Sequence, residues 1–227
     1  MSATSSVTNQ TLDRGLSALT LIAGAAEPPT INEVADALHI HRSMAYRIVR
    51  TLEVHGMTRR DNGGRCHPGH VLASLGRGVE RPLRELARPE LERLANRLGM
   101  TAFVAVPSGG DVVTIDSAEP AGSDSMISYR PGTRHPLERG APGLAILAGQ
   151  PPVRGERSDV TRARQQGWAQ STGEVIAGLG SLATWITDGD GTTIGAVACL
   201  YPGEPPEDIS SITDELHRSA TLLGALL

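Results

Sequence analysis

Arginine side chains are concentrated between His41 and Arg50, in the stretch HRSMAYRIVR. This stretch holds three arginines, a serine and a tyrosine, although the whole chain of 227 residues has a formal net charge of -4. A guanidinium group forms paired hydrogen bonds with a phosphate or with O6 and N7 of guanine. A local basic patch is typical of proteins that bind a phosphate backbone. The alternative is a solvated helix face, which is what most charged runs are.

A second group of arginines surrounds a predicted turn. The four residues from Asp61 to Gly64, DNGG, are a strong β-hairpin signal, and the short strands predicted on either side carry Arg59, Arg60 and Arg65. From His41 to His70 the chain has six arginines against two acids, and after that acidic residues outnumber arginines. A hairpin wing tipped with arginine usually lies along a DNA backbone or reaches a minor groove.

Helical periodicity divides the first group into two faces. At about 100° per residue, one arc of the predicted helix is apolar and the opposite arc holds the arginines. The apolar arc contains Met44, Ala45, Ile48, Val49 and Leu52. The outward arc and the wing give the predicted DNA contacts, which are Arg42, Ser43, Tyr46, Arg47, Arg50, Arg59, Arg60 and Arg65. One face of this helix is therefore expected to dock on the protein and the other to face DNA.

The preceding residues predict the elements that position the arginine helix. Thr30 and Glu33 have the spacing of a capping box, in which each side chain bonds the other residue's backbone amide. A short helix follows, and a tight turn at residues 39 to 41 leads into the arginine helix. The predicted buried residues are Ile31, Val34, Ala35 and Leu38, together with Leu12, Leu16, Leu19 and Ile22 of an earlier helix. A helix, a tight turn and a cationic second helix form the arrangement that enters a major groove.

Composition excludes several other classes of protein. Apolar residues make up 39% and charged residues 20% of the chain, as in an ordinary soluble globular protein. No apolar run approaches the roughly 18 residues that span a bilayer, and the first residues do not resemble a signal peptide, so we expect a cytoplasmic protein. Cys66 and Cys199 are far apart and form no CxxC pair, which favours reduced thiols. We expect neither a bound metal nor a cofactor.

Catalytic motifs are absent from the sequence. It lacks a G-x-S-x-G elbow, a Walker A loop and an H-E-x-x-H helix, so we predict that the chain is not an enzyme. The alternative is an enzyme with Ser171 or Ser181 as nucleophile beside His135, but nothing in the sequence places such a pair together. Short β-rich runs alternate with helical patterns after residue 100, which predicts an α+β sheet domain. These runs are AFVAV, VVTID, MISY, SLATWIT and TIGAVACL.

Both halves of the sequence resemble the IclR-type bacterial transcriptional regulators, and the likeness runs over nearly the whole chain. The N-terminal half contributes LDRGL, INEVADALHIHRSMAYRIVRTLEVHGMTRRDNGGRCHPG and LRELARPELERLANRLGMTAFVAV. The C-terminal half contains Gly167-x-x-x-Ser171-x-x-Glu174 and, six residues later, Ser181-Leu182-Ala183-x-x-Ile186-Thr187-Asp188. This second pattern follows the family's signature, with Thr187 in place of the usual aromatic residue or histidine.

The resemblance implies an α+β chain with three parts. Residues 1–70 would form a winged helix-turn-helix DNA-binding domain, and residues 71–82 a linker helix. Residues 83–227 would form a GAF-like effector-binding and oligomerisation domain with a mainly antiparallel sheet. Such a chain is expected to be a sequence-specific transcriptional regulator, and we expect a repressor, controlled by a small-molecule effector. The alternative is a DNA-binding regulator whose C-terminal domain only oligomerises and senses no ligand.

The resemblance also implies the partners of the protein and some of its contacts. A homodimer, joined through helix 1 and the linker helix, or a dimer of dimers, would bind a roughly palindromic operator on double-stranded DNA. Arg47 stands where the family usually has an arginine.

The effector is implied to be a small molecule, often a carboxylic or aromatic acid, held between the sheet and the start of a helix. The segment HPLERGAPGLAIL matches that helix start. The predicted pocket residues are Ile127, Gly140, Ala141, Pro142, Gly143, Ser171, Leu179, Ser181, Ala198 and Leu200. Free backbone amides there are expected to hold an anion, and the alternative is that the small residues serve only close packing. The chain is shorter than the family at 149–158, which is expected to trim one pocket wall or to reduce ligand binding.

Overall fold

The computed structural model describes residues 9–75, 81–122 and 129–226. The chain divides into two compact units, Met1–Val79 and Glu80–Leu227. The division falls within the segment predicted as a linker helix. In that segment the structure describes a short helix, α4 (Val71–Leu75), and the start of another at residue 81, while residues 76–80 lie outside the described residues.

The first unit is a small helical domain with a two-stranded wing. It contains α1 (Gln10–Gly24), α2 (Ile31–Ala37), α3 (Arg42–Val54), β1 (Thr58–Arg60), β2 (Cys66–Pro68) and α4. The predicted capping box is confirmed, because the Glu33 amide donates to Thr30 Oγ1 at 3.3 Å and the Thr30 amide donates to Glu33 Oε2 at 2.6 Å. The turn between α2 and α3 passes through His39 with φ at 51°, which ends α2 and reverses the chain.

A single apolar cluster joins the helices to the wing. It contains Ala18, Ile22, Val34, Ile48, Val49, Leu52 and Cys66. The prediction that three other residues are buried is wrong, since Leu12, Leu16 and Met44 are 61%, 54% and 40% exposed. The buried face of α1 contains Ala18 and Ile22. At about 100° per residue, Leu12 and Leu16 lie outside that face, so they are exposed.

The second unit is built on one six-stranded sheet. Its elements are α5 (Arg81–Leu98), β3 (Thr101–Ser108), β4 (Asp111–Ala118), β5 (Arg134–Pro136), α6 (Gly140–Gly149), α7 (Ser158–Gln166), β6 (Ala169–Thr172), β7 (Leu179–Thr187), β8 (Thr193–Pro202) and α8 (Ile209–Ala225). The strand order is β5-β4-β3-β8-β7-β6, and every described pairing is antiparallel. The predicted α+β class and antiparallel sheet are confirmed.

Both faces of this sheet are covered by helices. On β8, Val197, Cys199 and Tyr201 belong to the cluster that includes α5 and α8, whereas Ala198 and Leu200 belong to the cluster that includes α6 and α7. Successive side chains of a strand point to opposite faces, so the long strands β3, β4, β7 and β8 contribute to both clusters. The predicted runs AFVAV, VVTID, SLATWIT and TIGAVACL fall in β3, β4, β7 and β8, whereas most of MISY lies outside the described residues.

Candidate nucleic-acid interface and ligand cavity

The apolar arc of α3 fixes which side chains this helix presents outward. Ala45, Ile48, Val49 and Leu52 are buried against α1 and α2. At the start of α3, His41 Nδ1 accepts from the Ser43 amide at 3.3 Å and lies 2.8 Å from Ser43 Oγ. All five predicted contact residues of the helix are exposed, namely Arg42, Ser43, Tyr46, Arg47 and Arg50. The structure therefore places this set on one open face of α3.

The arginines of this face and of the wing divide into free and engaged side chains. Arg42, Arg47 and Arg59 make no hydrogen bond or ion pair with any described residue, whereas Arg60 binds Glu53 through Nε at 2.5 Å and Nη2 at 3.0 Å. The hydrogen bond from Arg60 is the main reason that the pKa of Glu53 lies below its usual value. Arg50 approaches the same carboxylate more loosely, at 3.4 Å.

The remaining wing arginine is also engaged. Arg65 donates to the carbonyl oxygen of Pro28 at 2.7 Å and pairs with Thr30 in an isolated β-bridge. It therefore fastens the wing to the segment that leads into α2. Because Arg60 also joins the wing to α3 through Glu53, the two engaged arginines hold the wing in place from both sides. Their predicted DNA contacts stay a prediction.

The wing turn is closed by one carboxylate. Asp61 accepts from the amides of Gly63 and Arg65, each at 2.9 Å, and from His67 Nε2 at 3.0 Å. These bonds, with the one from His67 largest, hold the pKa of Asp61 below its ordinary value. The turn therefore depends on an ionised Asp61. Among the described residues no cluster of His, Cys, Asp or Glu has the arrangement of a metal site.

A small cavity lies in the second unit, between the sheet and the start of α6. Five predicted pocket residues line it, namely Pro142, Ser171, Leu179, Ser181 and Leu200. Gly140, Ala141, Gly143 and Ala198 are buried beside it but do not line it, and Ile127 lies outside the described residues. The lining residues that the sequence analysis missed are Phe103, Tyr129, His135, Glu174, Val175 and Ile176.

The backbone amides at the start of α6 are not free, which corrects the expectation of an open anion site. The Gly140 amide donates to Glu174 Oε2 at 2.7 Å, and the Ala141 amide donates to Ser171 Oγ at 2.8 Å. A helix start attracts negative charge, and here a carboxylate of the protein takes that position. Arg157 donates to Glu174 Oε1 at 2.8 Å. Burial alone would raise the pKa of Glu174, but the bonds from Arg157 and Gly140 outweigh it and the pKa falls below its ordinary value.

Gly143 allows close packing at the start of α6. This agrees with the alternative prediction that the small residues there serve packing. A Cβ at Gly143 would lie 2.1 Å from the carbonyl oxygen of Leu137, so only glycine allows this approach. Gly140 has φ at 77°, a conformation that favours glycine. The start of α6 is therefore specified by backbone geometry as well as by its hydrogen bonds.

The two serines form a short chain of hydrogen bonds in the cavity wall. Ser171 Oγ lies 3.0 Å from Ser181 Oγ and also accepts from Ala141. Neither serine has a hydrogen bond to His135 among the described contacts, and His135 Nδ1 is instead 3.1 Å from the carbonyl oxygen of Pro136. A serine nucleophile requires a base within hydrogen-bond reach. The geometry therefore does not favour the serine-enzyme alternative.

The shortened region between α6 and α7 contains no helix or strand at residues 150–157. Arg164 of α7 reaches back across it and donates to the carbonyl oxygens of Ala148 and Gln150, beside an ion pair with Glu156 at 2.8 Å. A cation at the end of a helix offsets the partial negative charge of the last carbonyls. Charged side chains from outside α6 thus occupy both of its ends.

Comparison with known proteins supports one family. Residues 11–62 match the IclR helix-turn-helix domain. The chain is 28% identical over 221 residues to the glycerol operon regulatory protein of Streptomyces griseus, covering 86% of this chain and 85% of that protein. It is 24% identical over 221 residues to the transcriptional repressor AllR of Salmonella typhi, covering 85% and 80%. These relatives are named as regulators, which confirms the prediction that the chain is not an enzyme.

Solved structures show the same fold. A regulator from Alicyclobacillus acidocaldarius superposes with a TM-score of 0.77 at 23% identity, covering 96% of this chain and 99% of that one. An IclR homologue from Microbacterium hydrocarbonoxydans, in complex with 4-hydroxybenzoate, has a TM-score of 0.76 at 20% identity, covering 96% and 98%. Within the described residues, no helix is long and apolar enough to cross a bilayer.

Proposed function

Because the chain is an IclR-type transcriptional regulator, we propose that it represses transcription from a specific operator and is released by a small-molecule effector. The observation that carries the proposal is the open face of α3. Arg42 and Arg47 are exposed there without a partner among the described residues. Guanidinium groups that the protein leaves free are available to phosphates and base edges.

The free and engaged arginines support a division of roles. Arg47, in the middle of α3, suits a base contact in the major groove, whereas Arg59 on the wing suits a phosphate contact. Arg60 and Arg65 act mainly by holding the wing, because their side chains are already bound within the protein. Ser43 and Tyr46 contact phosphates, and Arg50 adds positive charge beside them.

A homodimer would present two such faces to a roughly palindromic operator. Leu12 and Leu16 of α1 are 61% and 54% exposed, which supports a helix 1 contact between two chains, because apolar side chains exposed side by side favour association. Repression is supported by the name of the AllR relative, and effector control by the relative that binds 4-hydroxybenzoate. The cavity beside α6 is the proposed effector site.

The DNA-binding proposal is tested by selecting binders from a random duplex library with the purified chain. A palindromic motif is expected to be enriched, and its binding should weaken as salt rises, because phosphate contacts release counterions. A library that remains random after selection contradicts sequence-specific binding. If a palindrome is enriched but no small molecule changes operator affinity, the effector proposal is wrong and the C-terminal domain serves only oligomerisation.

A further inference from the structure

The ring of Tyr46, on the open face of α3, is covered by a residue of the wing. The guanidinium carbon of Arg60, Cζ, lies 5.7 Å from the ring centroid, which is within the distance at which a cation is attracted to an aromatic face. Arg60 is the last residue of β1, and Tyr46 remains 49% exposed. The position of this tyrosine therefore depends on the wing as well as on α3.

Arg60 is itself held by a carboxylate of α3. Its Nε donates to Glu53 Oε1 at 2.5 Å, and its Nη2 donates to Glu53 Oε2 at 3.0 Å. A paired contact of this kind fixes the plane and the direction of the guanidinium group. Glu53 follows Tyr46 by seven residues, which is close to two helical turns, so both lie on the same side of α3. One guanidinium group thus joins the carboxylate, the ring and the wing.

The pair with Glu53 leaves Arg60 little net charge to offer a phosphate. The side chains of Glu53 and Arg60 are 11% and 29% exposed, whereas that of Arg50, which approaches the same carboxylate at 3.4 Å, is 61% exposed. The Tyr46 hydroxyl makes no hydrogen bond with any described residue. It is therefore free to donate to a phosphate oxygen once its ring is held in place.

We propose that Glu53 and Arg60 are positioning residues for DNA binding, which hold the Tyr46 ring so that its hydroxyl meets a backbone phosphate. Arg60 makes no phosphate contact of its own. A side chain that is ordered before binding does not have to be ordered on the DNA, so affinity is gained without a further contact. The proposal rests on the proposed DNA-binding role of the α3 face. It gives Arg60 an indirect role in place of the direct contact predicted from the sequence.

The test is a double-mutant cycle on operator and random DNA. Tyr46→Phe keeps the ring but removes the hydroxyl, so it should weaken binding to both duplexes by about fivefold or more, because a hydrogen bond to a charged group is lost. Glu53→Gln/Arg60→Gln removes both charges together, leaves neither unpaired, and should weaken binding by about threefold or more. With all three substitutions the loss should stay close to that of Tyr46→Phe alone, since Arg60 acts through the tyrosine.

Two results on DNA overturn the proposal. A combined loss near the product of the separate losses, about fifteenfold, shows that Arg60 acts independently of Tyr46. The slope of affinity against salt should be unchanged in Glu53→Gln/Arg60→Gln, because one positive and one negative charge are removed together. A slope reduced by about one charge shows that Arg60 contacts a phosphate directly.

The ring of Tyr46 gives a spectroscopic readout of its own. The chain has three tyrosines, and the other two, Tyr129 and Tyr201, belong to the second unit. In NMR spectra of the chain with labelled tyrosine, the ring signals of Tyr46 should shift in Glu53→Gln/Arg60→Gln, because that ring alone loses a cation, and the other two should stay in place. Unchanged Tyr46 signals contradict the positioning role.

Asp111→Asn/Arg134→Gln is the matched control. It removes a comparable pair from the second unit, in which Arg134 donates to Asp111 through Nε and Nη2, and should leave operator affinity unchanged. The two glutamines that replace Glu53 and Arg60 can hydrogen-bond each other, so the first unit is expected to stay folded, which urea unfolding checks. If the unsubstituted chain binds neither duplex, the proposed DNA-binding function is wrong. If it binds the operator and the losses multiply, only the positioning role is wrong.

Discussion

The arginine face of α3 and the cavity beside α6 differ in whether their charged side chains are paired within the protein. On α3, Arg42 and Arg47 are exposed without an acidic partner among the described residues, whereas Glu174 in the cavity is bound by Arg157 and by the Gly140 amide. The first region leaves positive charge for an external partner, and the second neutralises its charge internally. A surface that binds a polyanion needs unpaired cations, whereas a partly buried carboxylate is stabilised by donors from the protein itself.

The largest expected effect comes from filling the close approach at the start of α6. Gly143→Ala puts a Cβ 2.1 Å from the Leu137 carbonyl oxygen, and overpacking of this kind costs about 3 kcal/mol of the free energy of unfolding. Thermal or urea unfolding of the second unit measures the loss. Gly189→Ala is the control, since a Cβ there meets nothing within 4 Å. Equal stability of the two variants would contradict the packing role of Gly143.

The next effect concerns base recognition by α3. Arg47→Ala should cost about 1 to 3 kcal/mol of binding free energy on the operator and less on random DNA, because a paired contact with guanine is lost only on the operator. Competition binding with both duplexes measures the difference. Glu138→Gln lies in the other unit and should leave operator binding unchanged. Equal losses on both DNAs would show that Arg47 contacts the backbone.

The cavity charge predicts a pH dependence of stability. The pKa of Glu174 is lowered in the folded protein, so its ionised form stabilises the fold above its ordinary pKa of 4.5, and that contribution is lost as pH falls through the lowered value. Glu174→Gln should cost about 1 kcal/mol at pH 7 and flatten the acid side of the stability curve. Urea unfolding of the second unit between pH 3 and 7 measures both. Parallel curves for the two proteins would contradict the role of this ionised pair.

The smallest expected effects distinguish Arg59, the wing arginine without a partner among the described residues, from Arg60, which is bound to Glu53. Arg59→Ala should weaken binding to operator and random DNA alike and reduce the salt dependence by about one charge. Arg60→Ala should instead lower the free energy of unfolding of the first unit by about 1 kcal/mol, because it leaves Glu53 without its main partner. Salt titrations and unfolding curves of both variants test the distinction. Interchanged results would contradict this division of roles.

Local sequence signals predicted the first unit better than the second. The capping box of Thr30 and Glu33 and the turn held by Asp61 depend on residues a few positions apart, so their spacing is visible in the sequence. Leu12 and Met44 were wrongly assigned to the core because periodicity identifies an apolar arc but does not show where the neighbouring helix packs. The predicted DNA face depends on the same local periodicity.

The contacts of the cavity could not be predicted in the same way. Glu174 was visible as part of a pattern, but its bond to Gly140 joins residues 34 positions apart. That bond depends on the antiparallel pairing of β6 with β7 and on the packing of α6 against both. His135 was considered only as a base for a serine, because nothing in the sequence indicates that the carbonyl oxygen of Pro136 engages one of its ring nitrogens.

The placement of α6 has an evolutionary consequence. The helix carries no charged residue, and it is buried from Gly140 to Ile146 between the sheet and its neighbours. Its ends are held by Glu174 and Arg164, which lie elsewhere in the chain. Mutations within α6 are therefore expected to be purged, whereas Val175 and Ile176, on an exposed loop at the cavity, are free to vary. Sequence changes at the cavity wall are therefore expected to accumulate in that loop while the helix stays constant.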